Sequence, residues 1–257
     1  METLDGNTLE IQRAARLIKA SKRAVVLTGA GFSTPSGVPD FRTPGSGLWA
    51  RYLPMEVASL STFRYDPEKF FAWLRPLASH MLRAKPNPAH EALAEMESYG
   101  YIKTIITQNI DFLHQRAGSK NVLEVHGTFN TLTCVGCYQQ LSSTGFIDAF
   151  IEEGTIPRCP GCQGLLKPDV ILFEEQLPVR TWMQAQEASS TCDLMLVAGT
   201  SLEVMPSAGL PVKALDNGAH LILVNKASTY VDERADLIFM SDVADIIPRI
   251  AREIARD

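Results

Sequence analysis

The stretch TGAGFSTPSGVPDFR, from Thr28 to Arg42, constrains this chain more than any other, because it follows directly on the apolar run Ala24-Val25-Val26-Leu27. Such a run reads as a buried strand, and a strand that ends in glycines must leave the sheet through a tight turn. Gly29 and Gly31 carry no Cβ and can take φ > 0. Backbone N–H groups there, Ala30 included, can approach a pyrophosphate closely. Ser33, Thr34 and Ser36 are helix-start residues, which predicts an anion at the positive end of a helix. The spacing is G-x-G-x-S rather than G-x-G-x-x-G, and no acid about 20 residues on clearly supplies a ribose contact. Glycine spacing alone leaves nucleotide binding and a plain glycine-rich turn both open.

At 257 residues the chain fits one large domain, or one domain carrying a smaller insertion. Hydrophobic residues at 46% and charged residues at 21% suit a globular protein with a sizeable core. A net charge of −5 without a long basic run offers no electrostatic footprint for nucleic acid. The N-terminal METLDGNTLEIQRAARLIKAS is charged and amphipathic, and no apolar run approaches about 18–20 residues. The expectation is a cytoplasmic protein with no membrane partner and no direct nucleic-acid partner, monomeric or weakly associating.

Leu9, Ala14, Leu17 and Ile18 recur at helical spacing and predict a helix over 9–20 that packs on the sheet. Short apolar runs follow at Ile102–Ile106, Val122–Val125, Val170–Phe173, Leu194–Ala198, Leu221–Val224 and Leu237–Met240. Several are rich in Val and Ile and border Gly, Asn or Asp, as buried parallel strands do. Helical patterns at Asn87–Ser98 and Leu210–Asn217 lie between them. Alternation of this kind predicts an α/β fold, a Rossmann-like parallel sheet with ligands beyond the carboxyl ends of its strands. Residues 46–87, aromatic-rich and helical in character, and 128–167, which hold the paired cysteines, break the alternation. They are expected to form a smaller lobe, leaving 1–45, 88–127 and 168–257 to the Rossmann-like lobe.

Five cysteines is an odd number, and four form the pairs Cys134-x-x-Cys137 and Cys159-x-x-Cys162, 21 residues apart. The spacing is close to that of four-cysteine zinc sites. Four thiolates would close a tetrahedral shell around Zn²⁺ and leave no position for water, which makes the site structural. Two disulfides and a redox dithiol remain alternatives on spacing alone. Cys192, the unpaired one, reads as an inert core residue. Of five histidines, His126 alone combines a strand terminus, an adjacent glycine and the start of the cysteine segment. On context alone it could be structural or catalytic. His90 and His114 read as capping or packing helices, His80 and His220 as surface positions.

The whole run from Thr28 to Arg42 closely resembles the signature of the sirtuins, NAD-dependent protein-lysine deacylases. Thr107-Gln108-Asn109-Ile110-Asp111, the strand-ending His126-Gly127, the cysteine ribbon and Gly199-Thr200-Ser201-Leu202 with Val204 and Pro206 extend the resemblance across nearly the whole chain. It implies NAD as co-substrate, one structural Zn²⁺ on Cys134, Cys137, Cys159 and Cys162, and acyl-lysine proteins as partners. The acyl oxygen would attack C1′ of the nicotinamide ribose, and His126 would accept a proton from the ribose hydroxyls. Products would be nicotinamide, free lysine and 2′-O-acyl-ADP-ribose. Asn109 and Asp111 join His126 as catalytic residues, Asp111 binding the carboxamide and Asn109 orienting water and ribose. The resemblance further places Gly29, Ala30, Gly31, Ser33, Val38, Asp40, Phe41, Arg42, Gln108, Ile110, Gly199, Thr200, Ser201, Asn225, Lys226 and Val243 on the cofactor. For Asp40 and Arg42 a loop ion pair stays open as the alternative. ADP-ribosyl transfer, NAD hydrolysis or a non-catalytic NAD sensor are the rival readings on the same scaffold.

For the substrate, the resemblance assigns Lys167–Phe173 to pairing with the peptide as an added strand, and Val170, Leu172 and Phe173 to the acyl-lysine path. The family's usual glycine is here Glu174, which puts peptide affinity or sequence preference in question. Sirtuins preferring succinyl or malonyl lysine carry Tyr and Arg three apart, where this chain has Leu74 and Leu77. The expectation is a neutral acyl group, acetyl first, with longer chains against these leucines.

Overall fold

A computed structural model describes residues 7–40 and 47–256. Among the described residues nine strands lie in two sheets: β1 Ala24–Thr28, β2 Ile102–Thr107, β3 Val122–Glu124, β4 Gly127–Cys134, β5 Gln140–Ser142, β6 Leu166–Val170, β7 Leu194–Ala198, β8 His220–Asn225 and β9 Leu237–Met240. The larger sheet is parallel throughout in the order β3-β2-β1-β7-β8-β9. The chain leaves β1 in one direction to reach β2 and β3, then returns to its other side for β7. That reversal opens a crevice at the carboxyl ends of β1 and β7, the switch point where doubly wound folds take ligands.

Both β1 and β7 are buried along their full length, so neither alternates apolar with polar residues. Helices at Thr8–Ala20, Pro88–Ser98 and Val243–Ala255 cover one face, and those at Val179–Thr191 and Leu210–Asp216 cover the other. The helix Val243–Ala255 buries Val243, Ile246, Ile247, Ile250 and Ile254 at one-face spacing. Each such side chain contributes about 1.5–3 kcal/mol by leaving water. The first helix buries Ile11, Ala14, Ala15 and Ile18. Leu9, expected on that face, is 66% exposed, because it lies in the first turn beyond the edge of the packed stripe.

A smaller assembly combines helices at Pro54–Val57, Leu60–Tyr65, Pro67–Arg83 and Ile147–Glu153 with a three-stranded antiparallel sheet, β5-β4-β6. Its core is aromatic: Phe70 packs edge-on against Phe63 and Phe71, with ring centroids 5.3 and 5.1 Å away, and Phe71 meets Phe150 at 5.6 Å. The run Val170–Phe173 does not join the parallel sheet. The strand is Leu166–Val170, antiparallel to β4, because the turns of the cysteine segment bring it back alongside β4. The expected strand Val122–Val125 stops at Glu124.

His90 and His114 are buried in this scaffold, 0% and 1% exposed. Asn87 caps the helix that follows it, its Oδ1 accepting from the Ala89 and His90 N–H groups while His90 Nδ1 accepts from the Asn87 N–H. Burial pushes the His90 pKa down to about 3, and burial together with neighbouring His90 holds His114 well below the usual imidazole range. The unfolded chain therefore takes protons near pH 6.5 that the folded chain refuses. Stability is fully present above that pH and is lost as pH falls toward 3, by about 1.4 kcal/mol per unit for each histidine. Thermal unfolding should show a midpoint several degrees lower at pH 5 than at pH 7; equal midpoints would contradict the burial argument.

Candidate active site and metal centre

A cleft of about 970 Å³ lies at the carboxyl ends of β1, β2, β7 and β8, and extends to the helical lobe. Its floor is set where the loops leaving β1 and β7 cross. A Cβ on Gly29 would stand 2.7 Å from Thr200 Cβ, and one on Gly31 would stand 2.9 Å from the Gly199 carbonyl oxygen. Gly199 itself has φ +64°, and its Cβ would fall 2.2 Å from the Phe32 nitrogen. Gly29 and Gly31 do not use positive φ; the sequence needs glycine there for clearance between two backbones.

The expected α-helix after β1 is absent. Two 3₁₀ turns, Ala30–Phe32 and Thr34–Ser36, take its place, and Ser33 caps neither with its side chain. Ala30 and Gly31 N–H groups make no hydrogen bond within the described residues, and both residues line the cleft. Anion binding here would therefore rest on individual N–H donors rather than a helix dipole. Phe41 and Arg42 lie outside the described residues, while Val38 and Asp40 line the cleft.

Side chains from three strand ends lock together behind this loop. Gln108 Nε2 donates to Thr200 Oγ1 at 3.0 Å, and the Thr200 N–H donates to Asn225 Oδ1 at 2.9 Å. Asn225 is 6% exposed and its Nδ2 is an unpartnered buried donor, a group that a ribose hydroxyl would satisfy. Asn109, which lines the cleft, donates through Nδ2 to the Gly29 carbonyl at 3.0 Å and to Ser33 Oγ at 3.1 Å, which leaves Oδ1 as its remaining side-chain polar atom. Ser33 in turn donates to Asp111, whose Oδ1 also accepts from the Leu113 N–H at 3.0 Å. Burial raises the Asp111 pKa against these bonds. Ser201, Lys226 and Val243 border the far end of the cleft, with Lys226 Nζ 2.5 Å from Asp242. Val243 is itself buried at the start of the last helix.

His126 lies between β3 and β4, where the two sheets meet, and lines the cleft. Its Nδ1 stands 3.1 Å from the Gln108 carbonyl oxygen. A carbonyl can only accept, so Nδ1 carries the hydrogen and Nε2 is the basic atom of the neutral ring. Ser207 Oγ, fully buried, lies 3.2 Å from Nε2 and donates to it. Gly127 has φ +76°, and a Cβ there would meet the Asp169 carbonyl oxygen at 2.0 Å, so no other residue fits after the histidine. Sequence reasoning missed Ser207, although it directly follows Val204-Met205-Pro206. It also missed Glu124, two residues before His126, whose carboxyl burial pushes up to about 7 and whose Oε1 is unpartnered.

On the opposite side, Trp73, Leu74, Leu77, Met81, Val170 and Leu172 make an apolar chamber continuous with the cleft. Phe173 is 39% exposed at its entrance. Its backbone N–H donates to the Ala58 carbonyl and its carbonyl accepts from the Leu60 N–H, both at 3.0 Å. Both backbone groups of Phe173 are thus already bonded within the chain. Glu174 stands at φ +74°, and its carboxylate accepts from the Ser61 N–H at 2.8 Å. The glutamate ties the first turn of helix Leu60–Tyr65 to the cleft wall, and hydrogen bonds from the Ser61 hydroxyl and N–H hold its carboxyl below the usual range.

The four cysteine sulfurs lie within 4.8 Å of one another and none is in a disulfide. Cys134 and Cys162 Sγ are 3.4 Å apart, Cys137 and Cys159 Sγ 3.7 Å. A tetrahedral zinc with Zn–S near 2.3 Å sets neighbouring sulfurs about 3.8 Å apart, so the donor set fits the ion. Cys137 and Gly136 N–H groups donate to Cys134 Sγ and hold its thiol down to about 6. Cys192 is buried elsewhere, its pKa pushed up to about 11 by burial.

With this geometry in place, comparison with known proteins finds a match to the Sir2 family over residues 29–206. NAD-dependent protein deacylase 2 of Archaeoglobus fulgidus is 44% identical over 248 residues, covering 96% of this chain and 97% of the relative. Its namesake in Pyrobaculum aerophilum is 41% identical, covering 94% and 95%. Among solved structures, Sir2 with a p53 peptide and NAD+ superposes with a TM-score of 0.86 at 38% identity, over 96% and 99% of the two chains. Sir2Af2 with a myristoylated histone peptide gives 0.81 at 40% identity, over 96% and 97%. For the metal centre, the purified protein should carry one zinc per chain, and Cys134→Ser should release it and expose residues 127–170 to amide exchange. Full thiol titration with no zinc in elemental analysis would remove the metal from the ribbon.

Proposed function

The chain belongs to the Sir2 family, and from that premise we infer that it is an NAD-dependent protein-lysine deacylase acting on neutral acyl groups. The observation that carries the reading is His126, whose basic Nε2 lines a cleft with nucleotide-shaped hydrogen-bonding groups on one side and an apolar chamber on the other. NAD, when bound, supplies an activated ribose carbon with nicotinamide as its leaving group and a 2′-hydroxyl as acyl acceptor.

The residues of this chain divide that work. Ala30 and Gly31 N–H groups with Thr200 and Ser201 would hold the pyrophosphate, and Asn225 Nδ2 the adenosine ribose. Asp111 and Asn109 Oδ1 would fix the carboxamide and the water beside it, Gln108 the nearer ribose. His126 Nε2 would take the ribose hydroxyl proton, exchanging its bond from Ser207 for one from substrate. The fixed Nδ1–H keeps the ring from presenting the wrong nitrogen. Acyl-lysine would enter past Phe173 and lay its acyl group between Leu74, Leu77 and Val170. That chamber has no cation among its described lining residues, so a distal carboxylate would be buried unpaired, at a cost of several kcal/mol.

Mass spectrometry of an acetylated peptide incubated with the protein and NAD should show O-acetyl-ADP-ribose, with nicotinamide release dependent on the peptide. Release at the same rate without peptide would favour NAD hydrolysis instead. Replacing His126 with Ala should lower turnover about 10²–10⁴-fold while ADP-ribose still binds. In side-by-side assays deacetylation should outpace desuccinylation; the reverse order would refute the assigned chamber.

A further inference from the structure

Two buried histidines that no step above uses lie directly behind the cleft. The His90 and His114 rings are 4.8 Å apart, and Phe32 packs on both, at 4.8 and 5.1 Å. Each ring has one nitrogen bonded and one unpartnered among the described residues: His90 Nε2 and His114 Nδ1. The bonded nitrogens settle where the hydrogens are. His90 Nδ1 accepts from the Asn87 N–H, so the neutral ring carries its hydrogen on Nε2. Thr28 Oγ1 donates its single hydrogen to Thr107 Oγ1 at 2.9 Å, so toward His114 Nε2, also 2.9 Å away, it can only accept. His114 therefore carries its hydrogen on Nε2 and presents a bare Nδ1. The two unpartnered nitrogens are thus one donor and one acceptor, complementary rather than opposed.

The line continues to the site. Thr28 and Thr107 are the last residues of β1 and β2 and face each other in register. Thr107 Oγ1 also accepts from the Asn109 N–H at 3.1 Å, and Asn109 Nδ2 holds the Gly29 carbonyl and Ser33. Thr107 Oγ1 is thus the acceptor on which the donors from Thr28 and from Asn109 converge. Were His114 to carry its hydrogen on Nδ1, Thr28 would have to donate to Nε2 and could no longer donate to Thr107. The anchor of the Asn109 turn would then loosen.

We propose that His114 is a positioning residue for the nicotinamide end of the cleft, acting through Thr28 and Thr107 on Asn109, with His90 beside it favouring the required tautomer. It touches neither NAD nor peptide, and the inference rests on the deacylase reading only for which ligand feels the change. The loss should fall on the NAD side, since Asn109, Gly29 and Ser33 line that half of the cleft.

Nitrogen-15 spectra of histidine-labelled protein at pH 7 test the assignment without any substrate. Two neutral rings protonated on Nε2 are expected for His90 and His114; an Nδ1-protonated or cationic His114 overturns the proposal. Kinetics test the consequence. Thr28→Val and His114→Phe should each raise KM for NAD on the order of tenfold with KM for acetyl-peptide little changed. The double variant should be no worse than either single one. His114→Gln, which keeps a donor near the Nε2 position, should restore KM to within about threefold. Additive losses, or a lowered melting temperature with unchanged KM for NAD, would overturn it. If the phenylalanine variant fails to fold, Thr28→Val and the spectra decide. If wild-type protein turns over no acetyl-peptide, the deacylase reading fails while the spectra still judge the hydrogen-bond line.

Discussion

The close crossing of the loops that leave β1 and β7 is the constraint on which the rest of this molecule depends. There is no room for a side chain at Gly29, Gly31 or Gly199, so two backbones meet where two βα connections would ordinarily stand apart. The contact replaces a helix start with two 3₁₀ turns. It also leaves the Ala30 and Gly31 N–H groups without a partner among the described residues and brings Thr200 within reach of Gln108 and Asn225. A single alanine at Gly31 would push against the Gly199 carbonyl, which cannot move without shifting β7 itself. Geometry at the phosphate end is thus fixed by steric exclusion, and the polar groups are arranged on top of it.

Around this crossing the site is held by directed hydrogen bonds on one side and by packing on the other. Asn109, Ser33, Asp111 and Leu113 form a sequence in which each polar atom has a defined role, and burial makes any defect there expensive. The acyl side has almost no polar content, and its shape comes from the helix Pro67–Arg83 lying against Val170 and Leu172. The two halves therefore respond differently to change. A lost hydroxyl near Asn109 alters direction, whereas a trimmed side chain near Leu74 alters volume. Glu174 belongs to neither class. It stands in left-handed backbone where glycine would be easier, and its bond to the Ser61 N–H offsets that strain by tying the wall of the cleft to the helical lobe.

Much of this was legible in the residues. Local runs sufficed for β1, β7 and β8, since strands buried on both faces advertise themselves as unbroken apolar segments. The cysteine pairs converged because their spacing encodes two knuckles. What local reading could not reach was set by distant contacts. Val170–Phe173 is as apolar as a parallel strand, yet the strand is Leu166–Val170, paired with β4. Ser33, Thr34 and Ser36 are good helix starters by composition, but the crossing with Gly199 leaves no space for a helix. Leu9 fits the helical period and still faces water, because periodicity cannot say where a packed stripe ends. Ser207 and Glu124 carried no signal of their own; only the fold sets a serine behind His126 and buries an acid two residues before it.

The position of His126 explains why a metal that takes no part in the chemistry should still govern it. The histidine is the link between the parallel sheet, which ends at Glu124, and the small sheet, which begins at Gly127. Its carbonyl accepts from the Ile171 N–H at 2.8 Å, and Gly127 lies against Asp169, so its backbone is pinned by the returning strand β6. That strand pairs with β4 through Cys134 and Leu166, at the edge of the cysteine cluster. Apart from Leu132, Leu166 and the two inner cysteines, the ribbon has little fully buried apolar surface. An ion held by the four cysteines would supply the register that the ribbon's own core does not. A zinc on the four cysteines would fix β4 against β6; that pairing fixes Gly127 and Ile171, and together they aim the imidazole while Gln108 selects which nitrogen faces the cleft.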